Sequence, residues 1–331
     1  MLVAQDCSLP KENRPGHRPV ASIKSFTFKK SYWIDSTSVS GLNYLRDHRV
    51  GGKIIYPAAG FSMAGIAVHQ ALPVAEGKPK PIVLEHLKFR RTLSLPDRDT
   101  TVLRLNYKPD RGEFTVHSDR SDDPGAMSPH AIGRLAAINL VSQASDTDFD
   151  SLFEKCCEEV DVRKFYQRLS RSGLDYGPFF KRIISARVSR HTGEAVTQLT
   201  SHPGLATIRD PWAQPITLLD SAFQSLAIAL DTDKHHLYVP SRIRELRVYA
   251  DFEPNLWCYT RILKSTNRAV VGDITLFNAL GRPLIQIHGL LCLRIPRNQV
   301  AHCNGASELR DSQALRKNNF HQPLPPTVFR D

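Results

Sequence analysis

Asp47–Leu72 reads DHRVGGKIIYPAAGFSMAGIAVHQAL. One histidine, two adjacent glycines and a proline fall within its first eleven residues, and small and apolar side chains follow at helical spacing. Gly51 and Gly52 permit a backbone turn closed to other residues and leave open space beside the His48 imidazole. Pro57 suits the first turn of a helix, where a missing N–H costs nothing. The pattern predicts a helix over about 57–71, apolar on nearly every side. Such a helix has to be wrapped, and a curved antiparallel sheet wraps it. Strand-like runs supply that sheet: an alternating segment at 25–33 before the bend, then IVLEHLKFRRTLSL, TVLRLNYKP, GEFTVHSD and AIGRLAAINLV after the helix.

The plan then repeats. An amphipathic helix near DVRKFYQRLSRSG leads to the runs YGPFFKRIISARVS and EAVTQLTS, and a second apolar helix is expected over about 215–230. Four more strand-like runs follow it: LYVPSRIRELRVYA, LWCYTRILKS, AVVGDITLFNA and PLIQIHGLLCLRI. The expected architecture is α+β: two sheet-wrapped helices side by side, with their sheets merged. Residues 1–20 read as a linker, 21–150 as the first unit, 151–296 as the second and 297–331 as a tail. The acidic stretch at 146–160 marks the join.

Bulk properties exclude several classes. No run of about 18 apolar residues exists to span a membrane, and the polar, proline-bearing N-terminus has no apolar core of a secretory signal. Six scattered cysteines without a CxxC pair suit reduced thiols in a cytoplasmic protein better than disulfides or zinc. The net charge of +11 is concentrated at the ends: residues 1–33 contribute +4 and residues 297–331 another +2. The middle holds no basic stripe interleaved with aromatics, so nucleic acid is not the expected partner. A moderately basic surface still suits an acidic protein partner.

Two positions carry chemistry. His48 stands at a glycine bend, just before a helix whose early residues (AAGFSMAG) are small enough for a ligand to approach. The free N–H groups and positive dipole end of that helix would polarise a carbonyl. A base beside a polarised carbonyl is equipment for removing a proton α to it. In QPITLLDSAFQSLAIAL, Asp220 sits in an apolar run with Gln224 four residues later on the same face. Crowding by Leu218, Leu219, Ala222 and Phe223 favours the protonated carboxyl, which can donate, and Gln224 is placed to hold its geometry.

These residues resemble a known family. His48-x-x-x-Gly52-x-x-x-x-Pro57 is similar to the HxxxGxxxxP signature of polyketide synthase dehydratase domains, and Asp220-x-x-x-Gln224 to their second motif, DxxxQ/H. GLDYGPFF (173–180) resembles the GYxYGPxF motif, with Leu174 in place of the first aromatic, and YVPSRIRELRVY resembles the strand after it. The four motifs lie in the family's order, and the likeness runs over about residues 25 to 296.

The resemblance implies a double-hotdog fold and dehydration of a β-hydroxyacyl thioester to the α,β-enoyl product. Its implied partners are an acyl carrier protein, which delivers the substrate on phosphopantetheine, and neighbouring synthase domains; homodimers are common in the family. His48 would be the base and Asp220 the acid. Tyr176, in its motif with Gly177 and Pro178, would contact the substrate or the dyad. Gly60 would meet the thioester carbonyl, and Gly52, Pro57 and Gln224 complete the substrate-binding set. No metal and no bound cofactor is implied. A product-template aldol cyclase with a similar dyad, or a dehydratase-like scaffold without activity, are the alternatives.

Other signals carry less. GFSMA has Ala64 where a nucleophile elbow needs its second glycine. DTDKHH (231–236) holds metal-ligand atoms but reads as a solvated loop after a helix. No phosphate- or dinucleotide-binding glycine pattern occurs.

Overall fold

The computed structural model describes residues 28–35, 43–72, 82–96, 100–118, 129–136, 148–230 and 237–295. The stretches read as linker and tail, and DTDKHH, lie outside the described residues. In chain order the first half carries β1 (Phe28–Asp35), β2 (His48–Val50), β3 (Lys53–Ile54), α1 (Ala58–Ala71), β4 (Ile82–Phe89), β5 (Thr100–Lys108), β6 (Glu113–Ser118) and β7 (Ala131–Leu135). The second half opens with α2 (Phe149–Lys155), β8 (Glu158–Glu159), α3 (Val162–Arg171), β9 (Leu174–Tyr176), β10 (Ile183–Ser189) and β11 (Glu194–Thr200). It closes with α4 (Ala213–Ala229), β12 (Leu237–Val248), β13 (Asn255–Ser265), β14 (Ala269–Phe277) and β15 (Pro283–Ile295).

Twelve strands form one sheet in the order β1-β5-β6-β7-β4-β12-β15-β14-β13-β11-β10-β8. The halves merge where β4 pairs antiparallel with β12, from Lys88 opposite Arg242 to Ile82 opposite Val248. Each half curls its strands around one apolar helix, and α1 and α4 pack on each other between them. Of α1, nine residues from Ala59 to Val68 are buried, and of α4 nearly every residue from Ile216 to Ala229. A helix apolar over most of its surface is stable in water only when enclosed in this way.

Glycines let the sheet close on the helices. A Cβ on Gly65 of α1 would stand 2.6 Å from the Phe114 ring and 2.9 Å from Leu84, both fully buried. In the second half a Cβ on Gly272 of β14 would stand 2.4 Å from Leu226 of α4. Gly65→Ala is therefore expected to lose about 1–3 kcal/mol, the usual cost of overpacking a core. A lowered urea midpoint is the check, and an unchanged midpoint would refute this packing account.

The acidic join holds an ordered element. Asp148 caps α2 by accepting the Asp150 N–H at 3.0 Å, and Leu152 and Cys156 pack on Val196 of β11. The helix thus opens the second half, and the boundary drawn at residue 150 falls inside it. Burial pushes the Cys156 thiol up to about 11, so it packs as an inert apolar group. No helix among the described residues is long and apolar enough to cross a membrane.

Candidate active site

A second, three-stranded sheet in the order β3-β2-β9 stitches the halves together at the first histidine of interest. Gly51 and Gly52, with φ of 57° and 79°, form the two-residue turn between Val50 and its partner Lys53. Positive φ at both positions matches the right-handed twist of a tight hairpin. The hairpin returns Ile55 to His48: Ile55 N–H donates to the His48 carbonyl at 3.0 Å, and His48 Nδ1 lies 2.7 Å from the Ile55 carbonyl oxygen. A carbonyl only accepts, so Nδ1 carries the proton in that bond and neutral His48 presents its lone pair at Nε2.

On the other side β9 pairs with β2, and His48 stands opposite Tyr176. The Tyr176 ring meets the imidazole edge-on at 5.4 Å, and Phe180 lies against it at 5.1 Å. Desolvation, and after it the charge of Asp220, hold the Tyr176 phenol well above its usual range, which keeps it a hydrogen-bond donor.

The free face of His48 looks at α4. His48 Nε2 is 3.6 Å from Asp220 Oδ1, and the two residues are only 7% and 4% exposed, so little water competes for them. Asp220 Oδ2 accepts from Gln224 Nε2 at 3.0 Å, one helical turn on. Gln224 is fixed in turn: its Nε2 also donates to the Phe180 carbonyl at 3.1 Å, and its Oε1 accepts from Tyr166 OH at 3.1 Å. Ser221 Oγ donates to the same Phe180 carbonyl at 3.2 Å. One carboxyl oxygen is thus committed to Gln224 and the other faces the imidazole.

Several residues fall elsewhere than the sequence suggested. Gly52 lies exposed at the hairpin tip with nothing within 4 Å of a built Cβ, at the opposite end of β2 from the imidazole. The glycines therefore act on His48 by folding Ile55 back to it, not by clearing space beside it. Pro57 is the residue flanking α1 (φ −70°, ψ 148°), so its fixed φ launches the helix from an extended position. Gly60 already gives its N–H to the Pro57 carbonyl at 3.0 Å. It packs on the Tyr56 ring and borders an apolar cavity of about 60 Å³, lined also by Tyr44, Met63, Leu103 and Trp212; neither His48 nor Asp220 lines it. Pro178 is exposed, and its carbonyl accepts from Arg182 Nη2. Phe180 enters the sequence only as the last residue of GLDYGPFF, and Tyr166, Ser221 and Ile55 carry no site signal there, because all four act through a backbone carbonyl or a neighbour's amide. Among the described residues no group of His, Cys, Asp and Glu is arranged to hold a metal ion.

Residues 21–119 match the family model of the polyketide synthase dehydratase domain, and residues 144–302 that of the polyketide synthase dehydratase N-terminal domain. Together the two span more than three quarters of the chain. A low-reducing polyketide synthase of Aspergillus calidoustus is 29% identical over 232 residues, 65% of this chain. The chain spans about a tenth of the length of that relative. Among solved structures, the dehydratase domain from the J module of curacin polyketide synthase superposes with a TM-score of 0.69 at 24% identity, over 84% of this chain and 96% of that one. The dehydratase of the K module is similar in two variants described as inactive, one Asp-to-Asn and one His-to-Phe. Their TM-scores are 0.68 and 0.70 at 21% identity, over 82% and 85% of this chain and 94% and 96% of theirs. The shared fold is the double hotdog.

Proposed function

The chain belongs to the polyketide synthase dehydratase family, and from that premise we propose that it removes water from a β-hydroxyacyl thioester carried on an acyl carrier protein, with His48 as base and Asp220 as acid. The observation that carries the assignment is the fixed tautomer. Nδ1 is held by the Ile55 carbonyl, so the basic lone pair points from Nε2 toward the one carboxyl oxygen of Asp220 that Gln224 does not take. The inactive His and Asp variants of the curacin K-module dehydratase support a pair of these residue types.

Nε2 would take the α-proton, and the Cα–H electron pair would become the new double bond through an enolate-like carbonyl. The N-terminus of α1 begins three residues after the carbonyl that holds His48, and its orphan N–H groups would steady that oxygen. The β-carbon–oxygen bond would break as Asp220 gives its proton to the hydroxyl, releasing water. The dyad would end as imidazolium and carboxylate 3.6 Å apart, and return of the proton from Nε2 to Asp220 resets it. Mutual proximity of a fixed acid and base supplies the rate.

Incubation with a β-hydroxyacyl pantetheine thioester should produce enoyl-thioester absorbance without added metal or nicotinamide. A folded protein giving no absorbance with several acyl lengths, on pantetheine and on carrier protein, would favour a scaffold role. Cyclised products from a longer polyketone thioester would favour the aldol reading.

A further inference from the structure

The residue before the histidine ties both members of the dyad to one turn. The Asp47 carbonyl accepts the Gly177 N–H at 2.7 Å, and its carboxylate Oδ2 accepts the Phe179 N–H at 2.8 Å. The approach is so close that a Cβ on Gly177 would stand 2.2 Å from Asp47 Cγ and 2.3 Å from Oδ1. Arg182 grips the opposite side of the same turn: Nη2 donates to the Pro178 carbonyl and Nη1 to the Thr200 carbonyl at 3.4 Å. Burial lowers the Arg182 guanidinium from its usual range, and Tyr166 and Asp47 act in the opposite sense. Within the turn, Phe180 N–H and Lys181 N–H both donate to the Gly177 carbonyl.

The turn ends at Phe180, whose carbonyl receives Ser221 Oγ and Gln224 Nε2, and Gln224 holds Asp220. Asp47 is covalently next to His48. A single carboxylate therefore references the base through its own backbone and the acid through three successive hydrogen bonds, Asp47 to Phe179, Phe180 to Gln224 and Gln224 to Asp220.

We propose that Asp47 is a positioning residue for the dehydratase: by clamping the Gly177–Phe180 turn it sets the separation and alignment of His48 and Asp220. The inference rests on the dyad reading above. Its contribution to rate follows from how sharply such reactions depend on placement, since a displacement of about 1 Å can cost roughly 10²-fold.

The test is steady-state kinetics with a β-hydroxyacyl pantetheine thioester, expressed per folded molecule, on Asp47→Ala, Asp47→Asn, Gly177→Ala and the double variant Asp47→Ala/Gly177→Ala. Asp47→Ala should lose about 10²-fold in kcat with KM little changed. Asp47→Asn keeps an acceptor oxygen for the Phe179 N–H and should recover most of that loss. Gly177→Ala displaces the carboxylate, so it should lower kcat in the native background and add nothing in the Asp47→Ala background. Native kcat in folded Asp47→Ala would overturn the proposal, as would an equal cost of Gly177→Ala in both backgrounds. If Asp47→Ala does not fold, Gly177→Ala decides: a loss confined to kcat supports the clamp and native kcat overturns it. Elimination surviving in His48→Asn would remove the dyad reading itself; elimination lost there but native in Asp47→Ala would remove only the clamp.

Discussion

His48→Ala is expected to bring dehydration down by about 10²–10⁴-fold, the range a positioned general base supplies. Truncation also removes the partner of the Ile55 carbonyl and opens space beside Phe180 and Tyr176. A buried carbonyl left without its donor costs about 1–3 kcal/mol, so this variant should melt somewhat earlier than the native chain. His48→Asn separates the two effects. The asparagine Nδ2 falls where the imidazole Nδ1 lies, can still donate to the Ile55 carbonyl, and has no basic lone pair to offer Asp220. It should melt closer to the native chain and be as inactive as His48→Ala. Initial rates of enoyl formation and a thermal melt on both variants are the measurements. Substantial turnover by His48→Asn would show that the imidazole is not the base.

The fold was legible where burial alone writes the pattern. Pro57 to Ala71 and Pro215 to Leu230 hold no Asp, Glu, Lys or Arg besides Asp220 and are apolar over most of their surface, so both had to be enclosed helices, and the structure places helices at Ala58–Ala71 and Ala213–Ala229. β6 alternates because Phe114 and Val116 are buried on the side that meets α1, while Thr115 and His117 between and after them are only half-buried. The partners of those strands were not legible. Merging through β4 and β12 joins residues more than 150 positions apart, and nothing local in IVLEHLKF names RIRELRV as its neighbour. The run YGPFFKRIISARVS shows the same gap. It reads as one strand, yet β9 ends at Tyr176 because its pairing with His48 is complete, and Gly177–Phe180 turns under Asp47 before β10 starts at Ile183.

The site divides in the same way. His48 and Asp220 stood out because an ionisable group in an apolar or glycine-lined context is unusual by itself. Asp47 did not, since its partner is a backbone N–H 132 residues away and any residue could have supplied that N–H. Gly60 and Gly52 show a related limit. A glycine marks a place where something comes close, and the sequence cannot say whether that is a ligand or, as here, the Tyr56 ring and a hairpin turn.

Asp220→Asn should separate the two halves of the reaction. Gln224 Nε2 needs an acceptor on residue 220 and holds one at 3.0 Å, so the asparagine carbonyl is expected to take that bond. Its amide then faces His48 Nε2 at the place Asp220 Oδ1 now occupies, 3.6 Å away. The amide can donate a hydrogen bond but cannot deliver a proton to a leaving hydroxyl. Elimination is therefore expected to fall by about 10²–10⁴-fold. His48 keeps its tautomer, because the Ile55 bond is untouched, so the base survives, partly masked by the new amide. A β-hydroxyacyl thioester incubated with the variant in heavy water should then exchange its α-proton faster than it loses water, a ratio read by mass spectrometry. Near-native elimination would take Asp220 out of the acid role. Loss of exchange together with elimination would mean that the carboxylate acts on His48 rather than on the hydroxyl, because only a group needed by the base can silence a step in which no oxygen departs.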